Sequence, residues 1–161
     1  MKTYSRQFIL IIFCFSFMLV SFGQQSVKKP VITKIAKFKP PVVTTYLGVN
    51  TNGAVITREE ANQLITLPLK ITDAKNLPYS IDSYQFLYKR RSVVENEESG
   101  RKQIAFTTIA DRFKTTPLPK IWIDNTQNGF QKDEELYFFD IVVIDKAGRK
   151  FFAPDIKITI Q

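Results

Sequence analysis

The segment Tyr79-Ser80-Ile81-Asp82-Ser83-Tyr84-Gln85-Phe86-Leu87-Tyr88-Lys89-Arg90 decides the fold. Successive side chains of an extended chain point to opposite faces. Tyr84, Phe86 and Tyr88 therefore share one face, and Ile81, Ser83, Gln85 and Leu87 share the other. A helix would set Phe86 on the face opposite Tyr84 and Tyr88, whereas a strand collects all three rings into one stripe. That stripe reads as half of a sandwich core, packed against a second layer. A row of rings can also form a flat platform for stacking on a sugar, so the stripe carries two expectations.

The same period of two extends outward. Residues 65–72 form a preceding strand, separated from the first by the turn-like Asp73-Ala74-Lys75-Asn76-Leu77-Pro78. Residues 91–100 are polar, with Glu95, Glu97 and Glu98 between two basic ends, and read as a largely self-neutralising hairpin tip. Nothing apolar after Val94 offsets the ordering entropy, so residues 95–100 are expected to be mobile. A strand over 103–110 follows. Nearer the N-terminus, residues 31–38 extend but alternate poorly, Pro40-Pro41 interrupts, and residues 42–47 resume as a strand before a turn region at 48–53.

Two segments have a different grammar. In Thr57-Arg58-Glu59-Glu60 the threonine and the second glutamate can exchange hydrogen bonds with each other's amides, a capping box that starts a short helix through about Leu64. Adjacent helical residues point about 100° apart, so Glu59 and Glu60 read as capping and dipole partners rather than as a catalytic pair. Between 115 and 128, Thr116-Pro117 resembles an N-cap and first helical residue, with Leu118, Ile121 and Trp122 on one face. Pro119 and the run Ile121-Trp122-Ile123 favour a strand. The stop signal in residues 125–129 leans the segment to a short helix. A strand over 135–145, a turn at Lys146-Ala147-Gly148 and a final strand over 150–161 close the chain, the last anchored in the core by Phe151-Phe152 and the alternating Ile156, Ile158 and Ile160. Tyr84, Phe86, Trp122, Phe138 and Phe152 form the expected aromatic core.

The N-terminus reads as a targeting segment. Lys2 and Arg6 precede an apolar run over 8–22, and Ser21-Phe22-Gly23 places small residues where a signal peptidase reads them. Cleavage before Gln24 is expected, leaving no transmembrane span, because a spanning helix needs about 20 apolar residues. The mature chain would hold no His, Cys or Met, since Met1, Cys14 and Met18 are removed with the leader. That composition excludes Ser-His-Asp and Cys-His nucleophiles, thiolate or imidazole metal sites, and disulfides. No catalytic, cofactor or metal-binding residue is assigned. The net charge of +8 falls to +6 without Lys2 and Arg6. The excess collects in residues 24–41, a basic lead-in with five lysines and no acid. Its lysines fall on both faces of an extended chain, and no recognition helix or stacking motif accompanies them, so no nucleic-acid partner is expected.

Several stretches together resemble a family. They are Ile56-Thr57-Arg58-Glu59-Glu60, Ile81-Asp82-Ser83-Tyr84-Gln85-Phe86, the acidic Asp133-Glu134-Glu135 before Leu136-Tyr137-Phe138-Phe139-Asp140-Ile141, and Asp145-Lys146-Ala147-Gly148-Arg149-Lys150 leading into Ala153-Pro154-Asp155-Ile156-Lys157-Ile158-Thr159-Ile160. Over residues 42–161 this order is similar to the C-terminal domain of GldM, the periplasmic-arm protein of the gliding-motility and type IX secretion machinery of Bacteroidetes. The closing hairpin is the most specific part. GldM proteins are much longer and begin with a motor-forming transmembrane helix, where this chain begins with an expected leader.

The resemblance implies a mainly β, single β-sandwich-like (immunoglobulin-like) domain with one or two short helices, preceded by a cleavable signal peptide. It implies a non-catalytic exported interaction module of the cell envelope, periplasmic or outer-envelope, whose partners are envelope proteins such as gliding or type IX components. The domain plan is a leader at 1–23, the lead-in at 24–41 and the β-rich domain at 42–161. The alternative is a carbohydrate-binding or carbohydrate-active domain using the Tyr84, Phe86 and Tyr88 face with carboxylates such as Asp82, Asp124 or Asp140, since glycosidases need only two carboxyl groups.

Overall fold

A computed structural model of the chain describes residues 37–98 and 100–161. The expected leader, most of the basic lead-in and residues 31–36 of the candidate strand over 31–38 lie outside the described residues. In chain order the elements are β1 (Val43–Leu47), β2 (Ala54–Ile56), α1 (Arg58–Leu64), β3 (Leu69–Asp73), β4 (Ser80–Glu95), β5 (Lys102–Phe113), α2 (Lys120–Thr126), β6 (Glu135–Ile144), β7 (Lys150–Phe152) and β8 (Ile156–Ile160). Strands hold 49% of the described residues and helices 11%, so the fold is mainly β.

The larger sheet runs β2-β8-β6-β4-β5, with β7 paired to the far half of β6. Only β2 and β8 are parallel; the other pairs are antiparallel. A second, two-stranded sheet joins β1 and β3 from Val43 opposite Asp73 to Leu47 opposite Leu69. Tyr84, Phe86, Tyr88, Leu136, Phe138, Ile156, Ile158 and Ile160 bury one face of the larger sheet, while Val43, Leu47, Leu69 and Ile71 bury one face of the smaller. The layers are tied by polar contacts as well. Thr45 Oγ1 donates to the Pro154 carbonyl at 2.6 Å, and the Leu69 amide donates to Thr116 Oγ1 at 2.8 Å. The result is sandwich-like, with a broad sheet covered on one side by a narrow sheet and two short helices, and residues from Lys39 onward make one compact unit.

The capping box forms as the sequence predicts. Glu60 N donates to Thr57 Oγ1 at 3.2 Å, and Thr57 N donates to Glu60 Oε2 at 2.9 Å. The helix turns Ala61 and Leu64 inward and ends against the turn at Gly48. Gly48 has φ +62°, and a Cβ there would stand 2.6 Å from Leu64 Cδ2, so a side chain would meet both backbone strain and a clash.

The strand predicted over 65–72 is shorter and later. Ile65 caps α1, Thr66 bonds back to the Gln63 carbonyl, and pairing begins only beyond Pro68. The second helix also begins later than Thr116-Pro117 suggests, with Pro119 as its N-cap. Thr116 spends its hydroxyl on the Leu69 amide instead. Within the helix Ile121 faces outward, Trp122 is half-buried and Thr126 is fully enclosed. Trp122 sets its ring edge-on to Phe86 at 5.7 Å and to Phe113 at 5.4 Å.

Two compensating bulges explain the remaining departures. The β4–β6 register slips at Asp82 on one strand and at Asp140 on the other. Asp140 has φ +48°, a left-handed conformation that Asp tolerates better than most residues. Before it the inward residues of β6 are Leu136 and Phe138; after it they are Ile141 and Val143. The returning chain breaks opposite this bulge, at Ala153-Pro154-Asp155, where Pro154 has no amide to give to a ladder. The single strand expected over 150–161 is therefore two. Phe151 points into the core and Phe152 outward, 71% exposed, because neighbours on a strand cannot share a face. Phe152 thus leaves the expected core, and Phe151 keeps its place in it.

Candidate interaction surface

Each strand residue carries one amide and one carbonyl, and each pair must find a partner or water. In β4 both edges are paired from Tyr84 to Lys89, with β5 opposite one edge and β6 opposite the other. Strand β6 starts at Glu135, opposite Lys89, whereas β4 continues to Glu95 and β5 stays paired to it throughout. Residues 90–95 and 102–107 thus project past the sheet as a two-stranded arm. This corrects the expected hairpin tip over 91–100. The strand grammar persists because Arg91 sits opposite Phe106, Val93 opposite Ile104, and Glu95 opposite Lys102. The two strands are joined beyond Glu95 through Asn96 N to Arg101 O at 2.9 Å and Gly100 N to Asn96 O at 2.8 Å.

Glu134 braces the arm where it leaves the sheet. This residue is fully buried. Its carboxylate accepts from the Tyr88 hydroxyl, from the Arg91 amide at 2.8 Å and from the Gln131 amide at 2.9 Å. The Arg91 bond stands in for the ladder partner that β6 would have supplied had it begun earlier. Burial, followed by the bond to the neighbouring carboxylate, drives the Tyr88 phenol well above the ordinary tyrosine range. In the sequence Glu134 is one member of an acidic run, and nothing local distinguishes it from Asp133 or Glu135.

Among the described residues, no strand pairs with the outer edge of β5. This 12-residue strand ends the sheet order, and every residue from Gln103 to Arg112 except Ala105 is exposed. The Asn96–Arg101 bond sets the alternation, so the odd residues of β5 bond to β4. Lys102, Ile104, Phe106, Thr108 and Ala110 therefore aim amides and carbonyls at solvent, whereas the Arg112 amide donates to Asp111 Oδ1 at 2.7 Å. Ile104 is 57% exposed and Phe106 is 42% exposed, on the face away from the core. Lys89 Nζ lies 4.6 Å from the centre of the Phe106 ring. Beside this edge, the open face of the sheet carries Tyr137 stacked on Phe139 at 4.9 Å. Glu135 also lies there, bonded to Lys89 at 3.0 Å and to Lys157 at 2.9 Å. The hydrogen bond from Lys157, then that from Lys89, holds the Glu135 carboxyl below its ordinary value.

The alternative sugar site does not assemble from the residues proposed for it. Tyr84, Phe86 and Tyr88 are buried beneath the second layer, so their faces cannot stack on a ligand. The three carboxylates are engaged separately: Asp82 with Lys150 at 2.7 Å, Asp124 with Lys120 at 2.7 Å, and Asp140 with the Gln85 side chain. A shallow cavity of about 330 Å³ lies at one end of the sheet, lined by Leu77, Tyr79, Ile144, Asp145 and Arg149. There Asp145 is held by the Arg149 guanidinium at 2.8 Å and by the amides of Ala147 and Arg149. Among the described residues, no cluster of three or more His, Cys, Asp or Glu side chains could hold a metal ion, and no helix is long and apolar enough to cross a membrane. Compared with known proteins, the chain matches no family model and no curated relative.

Proposed function

We propose that this chain is a non-catalytic protein-interaction module that presents the β5 edge and the β4–β5 arm to its partner. The observation that carries the reading is the open edge itself. Natural sheets end in short, charged, bulged or covered strands, because an exposed row of amides and carbonyls templates the addition of another strand. Here the edge is long and regular, and residues 103–110 carry no charge. Main-chain bonds along such an edge supply affinity, and side chains on alternating faces supply specificity.

The leader-like N-terminus and the similarity to the GldM C-terminal domain favour an exported protein of the cell envelope, periplasmic or outer-envelope. Components of gliding or type IX assemblies are the partners to seek first. Crosslinking in cells, followed by mass spectrometry, tests the reading. Recovery of envelope proteins through residues of β5 or the arm supports it. Crosslinks confined to other faces of the domain sink the edge as the binding surface, and exclusive recovery of unrelated proteins leaves only a fold analogy. Intact-mass measurement of the protein from envelopes checks the processing, with loss of residues 1–23 as the expected result.

A further inference from the structure

The arrangement of charge along β5 goes one step past the reading of the edge as a docking surface, and rests on it. We propose that β5 pairs antiparallel with β5 of a second copy of this chain, about a two-fold axis at Phe106, so that two large sheets become one continuous sheet. A two-fold axis perpendicular to a sheet keeps its faces, so residues of like parity must meet across it. With Phe106 opposite Phe106, the outward-bonding residues pair as Ile104 with Thr108 and Lys102 with Ala110. On the opposite face Ala105 meets Thr107, Gln103 meets Ile109 and Arg101 meets Asp111. Arg101 and Asp111 are both exposed, and neither forms an ion pair among the described residues.

The register is chosen by charge. Centring the axis on Thr107 instead sets Lys102 against Arg112, a repulsion the symmetry repeats. Centring it on Ala105 leaves Asp111 with no cation opposite. Only the Phe106 register of the three places an ion pair at both ends of an uncharged run, with an aromatic pair at its centre. It also carries the acidic turn residues Glu97 and Glu98 toward Arg112 and Lys114 of the other copy. The association closes at two chains, because the opposite sheet edge is β2, a strand of only three residues that runs parallel to β8. A single added strand pair buries less than a standard interface of about 1,600 Å², so the expected dimer dissociates in the micromolar range.

Sedimentation velocity of the purified protein across that range tests the proposal. The wild-type chain should form a concentration-dependent dimer. Arg101→Glu and Asp111→Lys should each weaken it by about tenfold or more, since each places like charges opposite one another on both sides of the axis. Combining the two should restore the dimer, because the pair is reversed rather than removed. Thr108→Pro deletes one outward amide and should abolish dimerisation while circular dichroism shows the monomer still folded. A chain that is monomeric at every concentration overturns the proposal, as does a dimer indifferent to all four variants or single variants that the double change fails to rescue. A monomer whose crosslinks to a different protein vanish on Thr108→Pro assigns the edge to a heterologous strand. That outcome overturns self-pairing and leaves the interaction module standing.

Discussion

Strands β4 and β5 are hydrogen-bonded along the whole length of β5, yet they live in different solvents. The inward residues of β4 lie under the second layer, with Phe86 touching both Phe138 at 4.7 Å and Trp122 at 5.7 Å. In β5 the corresponding positions end at Phe113, and Ile109, directly opposite the buried Tyr88, is itself exposed. Position in the sheet order makes the difference, since β4 has a neighbour on each side and β5 has one. Residues that hold the fold are thereby separated from residues left available for contact, and the charged Asp111 stands in β5 opposite the buried Phe86 of β4.

The sharpest test of that division is truncation of a central ring. Phe86→Ala should cost about 3–5 kcal/mol by denaturant unfolding, for lost burial plus the cavity left behind. Phe106→Ala on the edge should stay within about 0.5 kcal/mol. Similar losses at both positions would show that β5 packs into the core as firmly as β4 does, and the comparison would break.

Removing the brace at the arm is the next largest effect. Glu134→Ala leaves the Tyr88 hydroxyl and the amides of Arg91 and Gln131 without their acceptor, at about 1–3 kcal/mol for each group that water cannot reach. Hydrogen exchange should quicken first at Arg91 and Gln131 and only later in the centre of β4. Uniform loss of protection across the sheet would mean that Glu134 supports the whole fold rather than the base of the arm.

Titration sharpens the contrast from another direction. Burial pushes the Tyr84 phenol up to about 12, from an ordinary value of 10.0, and Tyr88 moves the same way. A raised folded value means that their contribution to stability is whole below pH 10 and is lost as pH climbs toward 12. Ultraviolet difference spectra should therefore show these two tyrosines ionising together with alkaline unfolding. Independent ionisation in the folded protein would place their hydroxyls in solvent. Glu135 behaves oppositely. Its carboxyl is lowered from 4.5, so the support from Lys157 and Lys89 is present above that pH and fades as pH falls through the folded value. The acid effect should be small and salt-sensitive, because the group is only partly shielded.

The smallest expected changes concern Thr57 and Phe152. Losing the capping hydroxyl in Thr57→Ala should cost about 1 kcal/mol. Phe152→Ala should leave the thermal midpoint within error, although the neighbouring Phe151→Ala should lower it clearly. Equal effects at the two phenylalanines would contradict the strand phase of β7.

The capping box at Thr57 and Glu60, the ring stripe of β4 and the mainly β class were all legible in the sequence, for one physical reason. Each depends on residues a few positions apart, where backbone geometry alone dictates which groups can meet. The inward phase of β6 was legible only up to Asp140. Beyond it the bulge changes the parity, and the signal for that lies in the pairing with β4 rather than in β6 itself. The helix over 120–126 was visible as a preference, but its start was not. Thr116 could serve either as a cap or as the acceptor for a strand amide, and the distant Leu69 decided between them.

From the amino-acid order alone follow the alternation of strands, the capped helix, the absence of thiol and imidazole chemistry beyond residue 23, and the uncharged run in residues 103–110. Tertiary structure decided that β4 is central and β5 is an edge, that Glu134 rather than its acidic neighbours is buried, and that the aromatic stripe faces a second layer rather than a ligand. Those outcomes rest on hydrogen bonds and packing between residues more than forty positions apart, such as Glu134 with Arg91 and Tyr88. An alternating strand presents its apolar face in the same way whichever neighbours it acquires. Only the closing of the sheet determines which of its edges water keeps.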